Sequence, residues 1–401
     1  MQGRRRTRRR RPAGGIVPLA AMLAVLGGCD GDGTGPLPST GFTAVAAGAA
    51  HSCALGTDGR AYCWGRGHNG ELGVGTLTPG VSAPAPTAAA PAFEDITAGY
   101  YHTCALTAEG TAYCWGWNSW GQAGIADPDE TFIRAPTPVA GEHTFTRLVA
   151  GWYHTCGLTE EGAVYCWGNN GDGQLGDGTQ SHRRTPQPIV AQGPFSELAV
   201  GGFHTCAAGA GGQAYCWGRN IEGQLGDGGR IASTAPVPVS SELAFQALDA
   251  GRAHTCGVSG TAIYCWGSND YGQLGTGRPG ERGLPGSTRP SQVARDQAFV
   301  SVTAGSDHTC AVDEPGTGYC WGAGAFGQLG LGTTADQASP RMVQRPEFRQ
   351  IAAGFRTHTC GVSSGQRLYC WGTGDVGQLG NPATTATSVP LQVVNPEPFE
   401  R

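Results

Sequence analysis

The chain contains no lysine; all 26 of its basic residues are arginine. We read this as the codon bias of a GC-rich genome, and it carries little about function. Charged residues of both signs are scarce, at 14% of the chain, whereas glycine occurs 68 times and proline 26 times. That profile suits many short strands joined by tight turns and excludes a mainly helical fold. The apolar stretch Ile16–Gly28 has 13 residues, short of the about 20 that a membrane-spanning helix needs. No carboxylate pair and no Ser–His–Asp set stands apart from the repeated pattern described below. The expectation is therefore a binding protein, not an enzyme, with no cofactor and no metal.

What charge there is lies unevenly. Seven arginines fall within the first eleven residues, which hold no acid. Without residues 1–28 the chain keeps 19 arginines against 31 acids, a net charge of −12 before histidine is counted. Such a surface repels phosphate backbones and argues against nucleic-acid binding. It suits a basic or neutral partner.

The basic segment Met1–Pro12 followed by Ile16–Gly28 fits a secretory signal peptide. It ends in Leu26-Gly27-Gly28-Cys29, which resembles the bacterial lipobox. That resemblance implies that Cys29 becomes the lipidated first residue of a mature lipoprotein in the cell envelope, in periplasm or at the surface. The reading as domains is a signal peptide over 1–28, a flexible tether over 29–41 and a repeat domain over 42–401. Asp30 and Asp32 lack the later ligands of a calcium loop and read as linker.

The string Ala/Val-Gly-x-x-His-Thr/Ser-Cys recurs at His51, His102, His154, His204, His254 and His308, and with one extra residue before His358. Tyr-Cys-Trp-Gly follows each time, at Trp64, Trp115, Trp167, Trp217, Trp266, Trp321 and Trp371. The first cysteines of the units are 50 to 54 residues apart. A repeat of this period marks a modular fold. Each unit reads as four short strands, typified by Phe93–Gly99, His102–Leu106, Ala112–Gly116 and a proline-bearing stretch near Pro136–Val139. Proline places that last strand at an outer edge. Seven radial four-stranded units make an all-β, seven-bladed propeller.

The pattern resembles the regulator of chromosome condensation repeat family, carried by Gly173–Gly176, Gly223–Gly226, Gly272–Gly275 and Gly377–Gly380, each Gly-Gln-Leu-Gly after a Trp-Gly. The resemblance covers about nine tenths of the chain and implies the seven-bladed propeller. It implies no single activity, since such members include exchange factors, inhibitors and scaffolds. Two apparent motifs dissolve into the repeat. Gly171–Gly176 has a dinucleotide-loop pattern without a following helix. Gly361-Val-Ser363-Ser-Gly365 mimics a nucleophile elbow but lies at a hairpin turn.

Within a unit the two cysteines lie on adjacent strands. If Thr57-Asp58-Gly59 is a three-residue hairpin loop, Cys53 faces Cys63. In the fifth unit the spacing drops to nine, and the two-residue turn Gly260-Thr261 still sets Cys256 opposite Cys265. One disulfide per blade follows, the rest being Cys104–Cys114, Cys156–Cys166, Cys206–Cys216, Cys310–Cys320 and Cys360–Cys370. They imply an oxidising compartment and set the chain apart from the nuclear exchange factors. The spacing is wrong for a zinc knuckle. Strand parity puts His51, Cys53 and Leu55 on one blade face and Tyr62 and Trp64 on the other. A histidine once per repeat suggests a bond to an adjacent backbone carbonyl. Gly67, Asn118, Asn170, Asn220, Asn269, Gly324 and Gly374 share one position, which suggests left-handed backbone.

Where repeats share a framework, function sits in what varies. Two loops per unit vary, and both open on one face of the disc. They carry Tyr100, Tyr101, Trp152, Tyr153, Phe203 and Phe355 after the first strand, and Trp117, Trp120, Tyr271 and Phe326 after the third. Loop aromatics are enriched in binding hot spots; the competing reading is that they pack on one another and seal the face. Arg66, Arg219 and Arg252 are candidate polar anchors. The expected role is a monomeric, lipid-anchored module that takes a protein or polysaccharide partner on this face. Inhibition of an enzyme such as a β-lactamase, known for propellers of similar appearance, and a carbohydrate-active enzyme are the alternatives.

Overall fold

A computed structural model describes residues 41–191, 193–278, 286–294, 297–344, 346–382 and 385–394. The expected signal segment, Cys29, nearly all of the tether and the Phe399 tail lie outside the described residues. The described strands form seven separate sheets, each of four strands in sequential order. Blade 2 is typical, with Asp95–Ala98 innermost, then His102–Leu106, Ala112–Trp117 and Phe132–Pro138 outermost. All neighbours are antiparallel. The protein is an all-β, seven-bladed propeller.

The turns explain the register. Gly56 N–H donates to Arg60 O across Thr57-Asp58-Gly59, and Gly59 takes φ +76°, so Cys53 faces Cys63. In the shorter unit Gly260 takes φ +62°, Ser259 pairs with Ala262 and Cys256 faces Cys265. All seven disulfides form within blades, with Cα separations of 4.0 to 4.1 Å. The ladder between third and fourth strands skips the tryptophan in every blade, as from Cys114 to Gly116. Gly116 holds φ +103°, and a Cβ there would lie 2.6 Å from Tyr101 O, so the bulge requires glycine.

Neighbouring blades are joined by one repeated polar unit. The His204 imidazole and the Thr255 hydroxyl of the next blade lie 2.8 Å apart. Thr255 in turn donates to Gln224 O, which also accepts the Trp266 indole N–H. The set recurs at every interface, with Glu71 O in place of a glutamine carbonyl between blades 1 and 2 and Ser52 in place of threonine between His358 and Gln378 O at the last. The histidine partner is thus a hydroxyl, not the expected carbonyl. The hydroxyl's single proton goes to the backbone carbonyl, which leaves it an acceptor for Nε2–H. Hence Nδ1 is bare, and in six of the seven rings it has no partner among the described residues.

Among the described residues, blades 7 and 1 share no strand where the ring closes. The Gln350 amide clasps Val45, accepting from its N–H and donating to its carbonyl. Phe42 N–H donates to Gln366 O and Phe355 N–H to Gly48 O.

Candidate partner-binding face

Two sets of loops build one face. The loops after the inner strands meet around the axis and are laced blade to blade: Tyr100 N–H donates to Gly151 O, Gly202 N–H to Gly251 O, and Ser306 N–H to Gly354 O. This lacing fixes Ala49, Tyr100, Trp152, Gly202, Arg252, Ser306 and Phe355 around the centre.

The loops after the third strands are shaped by their own side chains. The Gln122 carboxamide oxygen accepts Trp120 N–H, and the Asn118 oxygen accepts Ala123 N–H while its NH₂ reaches Glu130 O. The position shared by Asn118 and Gly67 is not left-handed, contrary to expectation. Asparagine is there to tie the loop, as Asn170 also does through Leu175 N–H and Ser181 O. Where glycine stands, the chain passes too close for a side chain: a Cβ on Gly67 would meet Thr78 at 2.5 Å.

On this frame six of the ten expected residues touch in a continuous stack across blades 2 to 4. Tyr100 lies against Tyr101, Trp152 and Tyr153, with centroids 4.5, 4.8 and 5.8 Å apart. Trp117 bridges Tyr101 and Tyr153 at 5.9 and 5.5 Å, and Trp152 reaches Phe203 at 5.1 Å. All six are half-buried. They therefore pack on one another and still present ring surface to solvent. Burial raises the pKa values of Tyr100 and Tyr153, so both stay neutral phenols.

The other four lie around them. Trp120, 38% exposed, stacks on His182 at 4.6 Å. Phe326 is 55% exposed on blade 6. Tyr271 is half-buried on blade 5, close enough to act on the Arg252 charge. Phe355 is buried and helps to close the axis.

The three candidate arginines are all engaged. Arg66 lies over Tyr101 at 4.5 Å and Arg219 over Phe203 at 5.4 Å, while Arg252 bonds Asp307 at 2.6 Å. Behind Arg66, Glu71 stands where the other units have glutamine. One of its oxygens accepts Asn69 N–H. The other lies 3.6 Å from Arg66 Nε, an ion-pair distance without a hydrogen bond. Burial pushes the Glu71 carboxyl up to about 7.

Beneath the face the seven inner strands enclose a cavity of about 570 Å³. Its polar groups join blades. The Asp249 carboxylate accepts Ala250 N–H and Ala304 N–H, Thr97 accepts Ala150 N–H, and Arg147 pairs with Glu197 at 2.5 Å. Burial raises the carboxyl pKa of both Asp95 and Asp249.

The model for the RCC1-like domain matches residues 32–257, and that for the regulator of chromosome condensation (RCC1) repeat matches 262–312, 315–362 and 366–400. The chain belongs to the RCC1 repeat family. This RCC1-like propeller is 34% identical over 122 residues to the ultraviolet-B receptor of Arabidopsis thaliana, a match that spans 30% of this chain and 28% of the receptor. Among solved structures, yeast RCC1 (Prp20) bound to Kap60 superposes with a TM-score of 0.76 at 22% identity, covering 89% of this chain and 86% of that one. Human WBSCR16 superposes with a TM-score of 0.74 at 19% identity, covering 84% and 94%. These two likenesses show the fold.

One functional candidate is absent from the sequence-based set. Arg356 is exposed beside Phe355, in the only inner loop with three residues rather than two between glycine and histidine. That extra residue is the signal that marks it.

Proposed function

We propose that this RCC1-like propeller is an extracytoplasmic, lipid-anchored binding module that takes a protein partner on the aromatic face. The observation that carries the reading is the half-exposed stack from Tyr100 to Phe203, set on variable loops of an otherwise repeated framework. A rigid apolar patch with polar rims has the make-up of a binding hot spot. The Kap60-bound yeast RCC1, which shares the fold, supports a protein as the partner. The polar groups of the axial cavity are occupied in joining blades, which favours binding over catalysis. Seven buried disulfides suit an oxidising compartment, and Leu26–Cys29 supplies the anchor.

The test compares capture of envelope and secreted proteins and glycans by the parent and by a folded Tyr101→Ala, Trp117→Ala, Trp120→Ala, Trp152→Ala variant. A protein held by the parent and lost by the variant is the expected result. Equal capture would remove the face from the function. Labelling with radioactive palmitate should mark the parent and spare Cys29→Ala; label retained in that variant would refute the anchor.

A further inference from the structure

The net charge of the chain suits a basic or neutral partner, but the centre of the aromatic face departs from it. The inner loops carry two arginines, Arg252 and Arg356, and one acid, Asp307, while Arg66 and Arg219 reach the stack from the loops after the third strands. Three of these arginines already have partners: Arg252 bonds Asp307 through Nε and Nη2, Arg219 is laid on Phe203, and Arg66 is laid on Tyr101 with part of its side chain still exposed. Arg356 is exposed and has no ion pair among the described residues. Arg66 is held in place by Tyr101 beneath its guanidinium and by Glu71 behind it, with its side chain 28% exposed. Arg66 of blade 1 lies on the Tyr101 ring, and Arg356 of blade 7 follows Phe355, whose N–H donates to Gly48 O next to the Ala49 N–H bond to Tyr100 O. Both charges act on the Tyr100 hydroxyl.

We infer that the face carries an anion subsite, formed by Arg356 and Arg66 around Tyr100 and Tyr101, that takes an aspartate or glutamate side chain of the protein partner. This rests on the aromatic face being the binding face. Guanidinium and phenol groups are all donors, and a carboxylate accepts from several at once. A guanidinium is more weakly hydrated than an ammonium, so it gives up less water on binding, and its planar fork matches a carboxylate. The surrounding rings need apolar cover, which the rest of a protein loop provides. An anionic polysaccharide would repeat its charge along the face. It would run onto Asp307 and Asp375, on a chain of net charge −12 after residue 28. One carboxylate is accommodated where a polyanion is repelled.

The full chain, immobilised, would be used to select from a random library of disulfide-cyclised peptides. Each selected peptide would then be measured against the parent, Arg356→Gln and a folded Trp117→Ala, Trp152→Ala variant. The expected peptides pair an acid with an aromatic or apolar neighbour. Changing the acid to its amide should weaken binding by about tenfold, the scale of a lost charge-assisted contact. Arg356→Gln should cause a similar loss, and the two losses should not add. Peptides without an acid, or with an acid indifferent to Arg356→Gln, would overturn the subsite. If such peptides still lose binding in the tryptophan variant, the aromatic face stands and only the subsite falls; indifference to both variants removes both. Failure to select any peptide, or binding of polygalacturonate that depends on Arg356, overturns the assignment to a protein carboxylate.

Discussion

At the scale of the residue, the histidines show how a polar group tolerates the core of a propeller. Each gives one proton to a neighbouring hydroxyl and keeps the other nitrogen bare. Charging the ring would bury a cation, so burial pulls the pKa values down to about 3, or to about 4 for His308, where the nearby Asp307 charge opposes the fall. Glu71 is the opposite case, a group that should be an amide. Its folded pKa of about 7 stands above the ordinary glutamate value of 4.5, so ionisation opposes folding. The cost is absent below about pH 4.5, grows as the pH rises to about 7 and is fully present above that, at up to about 3 kcal/mol. Glu71→Gln restores the donor found in other units. It should raise the melting temperature at pH 8 and change it little at pH 5. A variant no more stable than the parent at pH 8 would show that Arg66 compensates the charge in full.

At the scale of the element, the blade is two hairpins whose turns set a cysteine pair in register. The fifth unit is the informative one, because a residue is deleted and the turn type changes while Cys256 still meets Cys265. Each disulfide closes a loop of about ten residues and should contribute about 2–3 kcal/mol by restricting the unfolded chain. Replacing Cys206 and Cys216 together by alanine should lower the unfolding free energy by that amount in a denaturant titration. The altered blade lies at a fully buried site, so a loss well beyond this range would mean that the sulfurs also fill space the alanines leave empty.

At the scale of the molecule, the seven His–Thr/Ser–Gln/Glu units make one closed circuit, and its response to acid should be collective. The unfolded state takes up protons below about pH 6.5 while the folded state refuses them until about pH 3. Stability is therefore full above pH 6.5 and falls as the pH drops, by up to about 1.4 kcal/mol per pH unit for each histidine. The raised carboxyls of Glu71, Asp95 and Asp249 act the other way, but they are three against seven. Tryptophan fluorescence should show one steep acid transition above pH 3, since all seven framework indoles are buried at blade interfaces. Native fluorescence kept down to pH 3 would refute this account of the interfaces.

Most of the fold is legible in the sequence because the repeat states each local rule seven times. Glycine positions give the turns, parity gives the blade faces, and turn length gives the cysteine pairs. The loops that carry Tyr100, Trp117 and Trp152 are legible too, as departures from the repeat. The threonine after each histidine is written just as regularly, but its role is not. Its partners are the histidine of the preceding blade and a glutamine or glutamate carbonyl more than thirty residues away in sequence, and sequence alone does not say which loop reaches which strand. The misread Asn118 position has the same cause. Asparagine tolerates left-handed backbone and also bonds loops, and only the observed φ and partners distinguish the two.

What the sequence determined by itself is the architecture of one blade and its multiplication by seven, since strand period, turn chemistry and cysteine register are all local. What only the tertiary structure decided is how the blades meet. Closure through Gln350, Phe42 and Phe355, the stacking of six rings from three blades, and the convergence of Arg356 and Arg66 on Tyr100 all join residues from different repeats. Their distances are set by packing around a common axis, a constraint that no single repeat contains.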